Sequence, residues 1–181
     1  MTKVNTLTFF IAGTMQGSRK GIDVLDQSYR AELRDIITNR YPFCTIYCPY
    51  QIMLAKFSAD FDILGAKYKS LVDCEPLYYD QYVSVIGSVT QQFNELTEFA
   101  GKVDVLIAYL PDHESSMGTA MEMWSAYLNK KIVITISPMK QNLAILSTST
   151  VIVPSISSFE KLLAQGWLDA QFLRGSPNKK V

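Results

Sequence analysis

The sequence predicts an α/β fold: a flavodoxin-like (Rossmann-like) five-stranded parallel sheet in the order 2-1-3-4-5, with helices on both faces. Three observations predict it. Five short runs are apolar on both faces, as strands inside a parallel sheet must be, and amphipathic helical segments separate them. A length of 181 residues suits one domain rather than two.

Taken in order, the first strand is Leu7 to Ala12 (LTFFIA), and a helix follows over Ile22 to Arg40, with Val24, Leu25, Leu33, Ile36 and Ile37 at helical spacing. Phe43 to Cys48 (FCTIYC) is the second strand, stopped by Pro49. The stretch from 51 to 80 exceeds one connection and is expected to insert a helix near 51–69 and a loop around Cys74-Glu75-Pro76. A helix over Gly87 to Lys102 leads into strand Val103 to Leu110 (VDVLIAYL), and a helix over Thr119 to Asn129 into strand Ile132 to Ile136. Thr150 to Val153 is the fifth strand. Its helix, Ser157 to Gln165, has N-cap candidates in Ser155 to Ser158 and a stop in Gly166. One domain over 1–174 is expected, with a disordered tail at 175–181 (GSPNKKV).

Composition narrows the function. Lys+Arg and Asp+Glu both number 17, so the basic excess that drives binding to long nucleic acid is missing. A nucleotide-like ligand would be small. No apolar run approaches a membrane span, and the start of the chain has no signal-peptide pattern. Cys44, Cys48 and Cys74 are odd in number and dispersed, which suits reduced thiols in the cytoplasm. One histidine leaves too few ligands for zinc, so no metal is expected.

Ligands of open parallel sheets bind beyond the carboxyl ends of the strands, where the strand order reverses. Here that means the ends of strands one and three, and the two most unusual loops lie there. After strand one comes Gly13-Thr14-Met15-Gln16-Gly17-Ser18-Arg19. Its glycines let backbone N–H groups approach an anion, its hydroxyls donate, and Arg19 offers a planar fork to phosphate. Any strand-to-helix turn also favours Gly and Ser. After strand three comes Pro111-Asp112-His113-Glu114-Ser115-Ser116-Met117-Gly118-Thr119-Ala120-Met121-Glu122. Ser116 to Thr119 opens a helix, and Glu122 falls within about its first turn, where the dipole favours an ionised carboxylate aimed at ligand. A first-turn Glu also stabilises any helix, so both readings stand on this pattern alone. His113, Asp112 and Glu114 read as solvated loop residues, and Phe10, Tyr47 and Tyr50 as core aromatics within reach of a base.

Together these residues resemble the nucleoside 2-deoxyribosyltransferase superfamily. The likeness runs through a strand ending Ala12-Gly13, then Val103-Asp-Val-Leu-Ile-Ala, Ser116-x-Gly118-Thr119-x2-Glu122, Ala126 and Lys131-Ile-Val-Ile. It covers most of the chain, with 51–80 poorly matched. Within the superfamily, the first loop and the serine six positions before Glu122 are similar to the 2'-deoxynucleoside 5'-phosphate N-hydrolases. The nucleoside transferases carry Asp where Ser116 stands, and an aspartate there would repel a phosphate.

The resemblance implies an N-glycosidase acting on (deoxy)nucleoside 5'-monophosphates without a cofactor, with Glu122 as nucleophile. It implies substrate contacts from Gly13, Thr14, Met15, Gln16, Gly17, Arg19, Asn94, Ser116, Gly118 and Thr119. Asn94 is the nearest candidate for an Asp that the family carries on the helix before strand three. The loop before Ser116 is about two residues longer than the family's. The segment from Asn142 to Ser149 looks like one that reaches a neighbouring active site, which implies a homodimer. Base exchange by a 2'-deoxyribosyltransferase and nucleotide sensing without catalysis are the alternatives. An FMN carrier is disfavoured because the first loop lacks a Ser/Thr-rich phosphate pattern and the chain is not acidic.

Overall fold

A computed structural model describes residues 6–17 and 19–173; Ser18 and the expected tail at 175–181 lie outside them. Five strands form one sheet: β1 (Thr8–Gly13), β2 (Thr45–Tyr47), β3 (Val105–Tyr109), β4 (Ile132–Ile136) and β5 (Val151–Val153). The order is β2-β1-β3-β4-β5 and every pairing is parallel, so the predicted architecture is observed.

Alternation along the strands assigns the two faces. Phe9, Ile11, Val105, Ile107, Ile134 and Ile136 point to one side, packing with α1 (Tyr29–Arg40), α7 (Ile156–Ala164) and α8 (Trp167–Leu173). Phe10, Ala12, Leu106, Ala108 and Val133 point to the other. They meet Ala100 at the end of α4 (Tyr79–Ala100), Met123 and Ala126 of α5 (Met117–Leu128), and Ile145 of α6 (Leu143–Thr148). Phe9, Phe10, Ile11, Leu106 and Ile107 are wholly inaccessible, each stabilising by about 1.5–3 kcal/mol through burial. Alanine at positions 12 and 108 lets α5 lie close on the sheet.

Several boundaries differ from expectation for local reasons. The helix expected from Ile22 begins at Tyr29. Gly21 sits at φ 62, and Asp26 accepts hydrogen bonds from the Ser28 amide (3.0 Å) and hydroxyl (2.7 Å), which holds residues 21–28 as a folded loop. Between β2 and α4 the chain makes α2 (Pro49–Phe57), a 3-10 turn (Ser58–Asp60) and α3 (Phe61–Ser70), where one helix was expected. Helix α4 starts eight residues before Gly87, because a kink at Ile86 (φ −126, ψ 21) joins two helical pieces end to end. No helix among the described residues is long and apolar enough to cross a membrane.

Candidate active site

The mouth of the sheet is where β1 and β3 end side by side, with Gly13 in register with Tyr109. The loop after β1 folds back on itself. The Leu25 amide donates to the Met15 carbonyl (2.7 Å), Gln16 Nε2 to the Gly21 carbonyl (2.7 Å), and the Arg19 amide to the Gln16 carbonyl (3.0 Å). Met15 and Gln16 thus shape the loop through their own bonds. Gly17 adopts φ +57, a conformation that glycine holds without strain. Arg19 is exposed, and its guanidinium lies 3.6 Å from the Glu114 carboxylate of the opposite loop. Glu114 was expected to be a solvated charge; it instead spans the cleft to the first loop.

The second loop ends at Ser116, the N-cap of α5. The Ser116 hydroxyl accepts from the Thr119 amide (3.3 Å) and the Thr119 hydroxyl (2.9 Å). With both lone pairs used, it keeps its own hydrogen to donate. Gly118 allows α5 to approach α4: a Cβ there would fall 3.2 Å from Phe93 Cε2. Phe93 is therefore the α4 side chain at this point, while Asn94 is exposed and is not brought to the cluster.

Glu122 lies in the second helical turn from Ser116, with only 4% of its surface exposed. The sequence suggested a carboxylate kept ionised by the helix dipole. Burial wins instead, pushing its pKa up from 4.5 to about 8, with the Arg30 guanidinium pulling in the opposite direction. No described cation forms an ion pair with it.

Arg30 and Tyr29, at the start of α1, are site residues that the sequence did not single out. The Arg30 guanidinium donates to the carbonyls of Ile11 (2.5 Å) and Gly13 (3.2 Å), where β1 ends, and through Nε to Gln27 Oε1 (2.7 Å). Gln27 in turn donates to the Thr14 carbonyl (3.1 Å). The Tyr29 ring lies against Tyr109 (4.3 Å between centroids) and beneath Arg30 (5.0 Å). Its hydroxyl sits directly on Gly13, leaving no room for a Cβ there. Burial raises the Tyr29 pKa, Arg30 lowers it, and the Glu122 charge adds to the rise.

Two buried hydroxyls, Thr14 Oγ1 and Tyr29 OH, have no hydrogen-bond partner among the described residues. Both adjoin Gly13, at the strand end that Arg30 also reaches, and the Glu122 carboxyl is near enough to interact electrostatically with Arg30 and Tyr29. Buried polar atoms are nearly always paired, so two orphans at one strand end are unusual, and each hydroxyl keeps a hydrogen to donate. Of the aromatics near the strand ends, Phe10 is core and Tyr47 packs edge-on against Phe99 (4.6 Å). His113 is exposed in the second loop, and Asp112 beside it takes φ 57. Cys44, Cys48 and Cys74 are free thiols.

A separate cleft of about 190 Å³ opens on the far side of α5, between α5 and α6, with Ser116, Met123, Trp124, Met139 and Asn142 among its walls. Ser116 belongs to both regions.

No protein-family model and no curated protein matches the sequence. Among solved structures, the fold is similar to a 2-deoxyribosyltransferase from the psychrotolerant bacterium Bacillus psychrosaccharolyticus, with a TM-score of 0.50 and 14% identity over 84% of this chain and 90% of that one. A conserved protein from Enterococcus faecalis V583 aligns with a TM-score of 0.48 and 15% identity, covering 88% of this chain and 98% of that one.

Proposed function

We propose that this chain is an N-glycosidase of the nucleoside 2-deoxyribosyltransferase type, cleaving the base–sugar bond of (deoxy)nucleoside 5'-monophosphates with Glu122 as nucleophile. One observation carries the reading: a buried carboxylate that forms no ion pair with a described residue, yet lies near enough to Arg30 and Tyr29, at the end of β1, to interact electrostatically with both. The shared fold with a 2-deoxyribosyltransferase supports it.

In the first step a Glu122 oxygen bonds to C1' of the sugar as the C1'–N bond breaks. The bond's electron pair leaves with the base, which takes up a proton, and the transition state is oxocarbenium-like. In the second step a water oxygen bonds to C1', the carboxylate departs, and the water's proton is released, giving net retention. A free base in place of water would give exchange. Ser116 and Arg19 would hold the 5'-phosphate, and Gly13, Thr14, Gly17, Gly118 and Thr119 shape its seat, turning remote binding energy into placement of C1'. Attack requires the ionised carboxylate. Because burial raises the pKa to about 8, kcat/KM is expected to rise with pH through that value.

The active unit of the proposal is one domain over 1–174, working as a homodimer in the cytoplasm. An exposed apolar stripe supports the dimer: Met117, Met121, Trp124 and Leu128 recur along α5, with Leu143 and Leu146 beside them on α6. Sedimentation of a monomer at micromolar concentration would oppose it.

The test of the activity is a panel of ribo- and deoxyribonucleosides and their 5'-monophosphates, with and without a second free base. Release of base from monophosphates supports the proposal. Exchange that ignores the phosphate supports a transferase, and nucleotide binding with neither activity supports a sensor.

A further inference from the structure

We infer that Gln27 is a positioning residue: its side-chain amide clamps the first loop at Thr14 onto the buried Arg30 guanidinium and so presets the loop for substrate. The inference rests on the proposed reading that Thr14 and its neighbours meet a nucleotide.

Both ends of the Gln27 amide are engaged. Its Oε1 accepts from Arg30 Nε (2.7 Å), while Nε2 faces the carbonyls of Leu25 (2.9 Å), Thr14 (3.1 Å) and Asp26 (3.3 Å). The amide cannot be turned over: its oxygen would then meet three carbonyls, and its hydrogens a guanidinium that only donates. Arg30 is 4% exposed and is itself anchored, donating to the carbonyls of Ile11 and Gly13. Gly13 and Thr14 are consecutive, so Arg30 grips one carbonyl and Gln27 the next. A second tie runs through Leu25, whose carbonyl accepts from Gln27 and whose amide donates to the Met15 carbonyl (2.7 Å).

The clamp matters because of what it places. The Thr14 side chain is buried, and Oγ1 has no hydrogen-bond partner among the described residues. No bond of its own holds that hydroxyl. Its position is set by the backbone, whose carbonyl Gln27 holds. All these bonds exist in the free protein, so Thr14 and Met15 are ordered before a nucleotide arrives. Without the clamp, the nucleotide must order them itself, and affinity falls, while the bound geometry, once reached, is unchanged. Positioning of this kind shows in KM rather than in kcat.

The test compares wild type with two variants. Gln27→Met keeps the reach of the side chain and loses every bond. Gln27→Glu keeps an acceptor for Arg30 but has no hydrogen for the loop carbonyls, so it decides the matter if Gln27→Met fails to fold. Affinity for the four 2'-deoxynucleoside 5'-monophosphates is measured by calorimetry in the Glu122→Ala background. Steady-state kinetics and amide exchange by NMR are measured without that change, all below the melting temperature of each variant. Both variants are expected to weaken the best-bound nucleotide by about tenfold, the scale of one or two lost hydrogen bonds, and to raise KM similarly with kcat within about threefold. Exchange at the Leu25 amide should quicken by about tenfold while the β3 amides keep their protection. Unchanged nucleotide affinity or unchanged Leu25 exchange in Gln27→Glu overturns the clamp. So does a loss confined to kcat, exchange that quickens equally in β3, or no nucleotide binding in any of the proteins. Base release by wild type alongside such a failure would leave the glycosidase reading standing. The expected changes in affinity and exchange without any base release would do the reverse.

Discussion

The first loop with α1, and the second loop with α5, supply two arginine–glutamate arrangements that contrast. Arg19 and Glu114 meet at 3.6 Å on the outside, both partly solvated. Arg30 and Glu122 are each only 4% exposed and do not form an ion pair; the arginine spends its donors on the carbonyls of Ile11 and Gly13. On the outside, water screens the charges and weakens their attraction. Inside, desolvation dominates, and Arg30 only moderates the rise in the carboxyl pKa. The same two residue types therefore form a solvated ion pair in one place and a buried carboxyl with a raised pKa in the other.

The largest effect should come from the buried carboxylate. Glu122→Ala is expected to lower base release by at least roughly a hundredfold while leaving nucleotide affinity within a few-fold, measured by steady-state kinetics and calorimetry. Arg30→Met comes next. It strands two buried carbonyls at the end of β1 and should cost about 2–4 kcal/mol in urea denaturation. In the folded fraction it should also shift the rising limb of kcat/KM to higher pH, since the one charge opposing burial is gone.

The third prediction concerns pH and stability. With a folded pKa near 8 against 4.5 for an unburied carboxyl, the folded protein keeps a proton that the unfolded chain releases. The resulting stability is fully present below pH 4.5 and declines as pH rises to about 8. Glu122→Gln cannot ionise. It should melt about 2–8 °C above wild type at pH 9 and within about 2 °C of it at pH 4, by calorimetry. Equal melting curves at both pH values would mean that the carboxyl is not held protonated by burial.

Smaller effects follow at Tyr29. Gly13→Ala drives a methyl into its hydroxyl and should cost about 1–3 kcal/mol, partly recovered in the double variant with Tyr29→Phe, since the Tyr109 carbonyl 3.0 Å away stays. Tyr29→Phe alone removes an unpartnered buried hydroxyl, so its stability should hold or rise by up to about 1 kcal/mol while activity falls. The smallest effect belongs to the exposed pair: Arg19→Ala should change stability by no more than about 1 kcal/mol, yet weaken phosphate binding.

The sheet was legible because each of its strands is apolar on both faces, and Phe9 and Phe10 in succession can both be buried only inside a covered sheet. Glu122 was legible from its place on the helix after β3. Its raised pKa was not, because helix position gives the dipole's direction while tertiary burial decides how much water remains. Tyr29 and Arg30 were hidden by Val24 and Leu25, whose spacing extended the helical pattern backwards over a loop held by Asp26 and Gln27. The Arg19–Glu114 contact joins two loops far apart in sequence, and no local pattern encodes it. For Asn94, one position along the helix decides the side: Phe93 faces Gly118 of α5, and Asn94 turns to solvent.

The most direct test of the central claim is acid quench of the protein with a 5'-monophosphate substrate within one turnover, followed by peptide mass spectrometry. A sugar-phosphate adduct on Glu122 is expected, absent from Glu122→Gln. Base release with inversion at C1' and no adduct, or an adduct on a different residue, would contradict it.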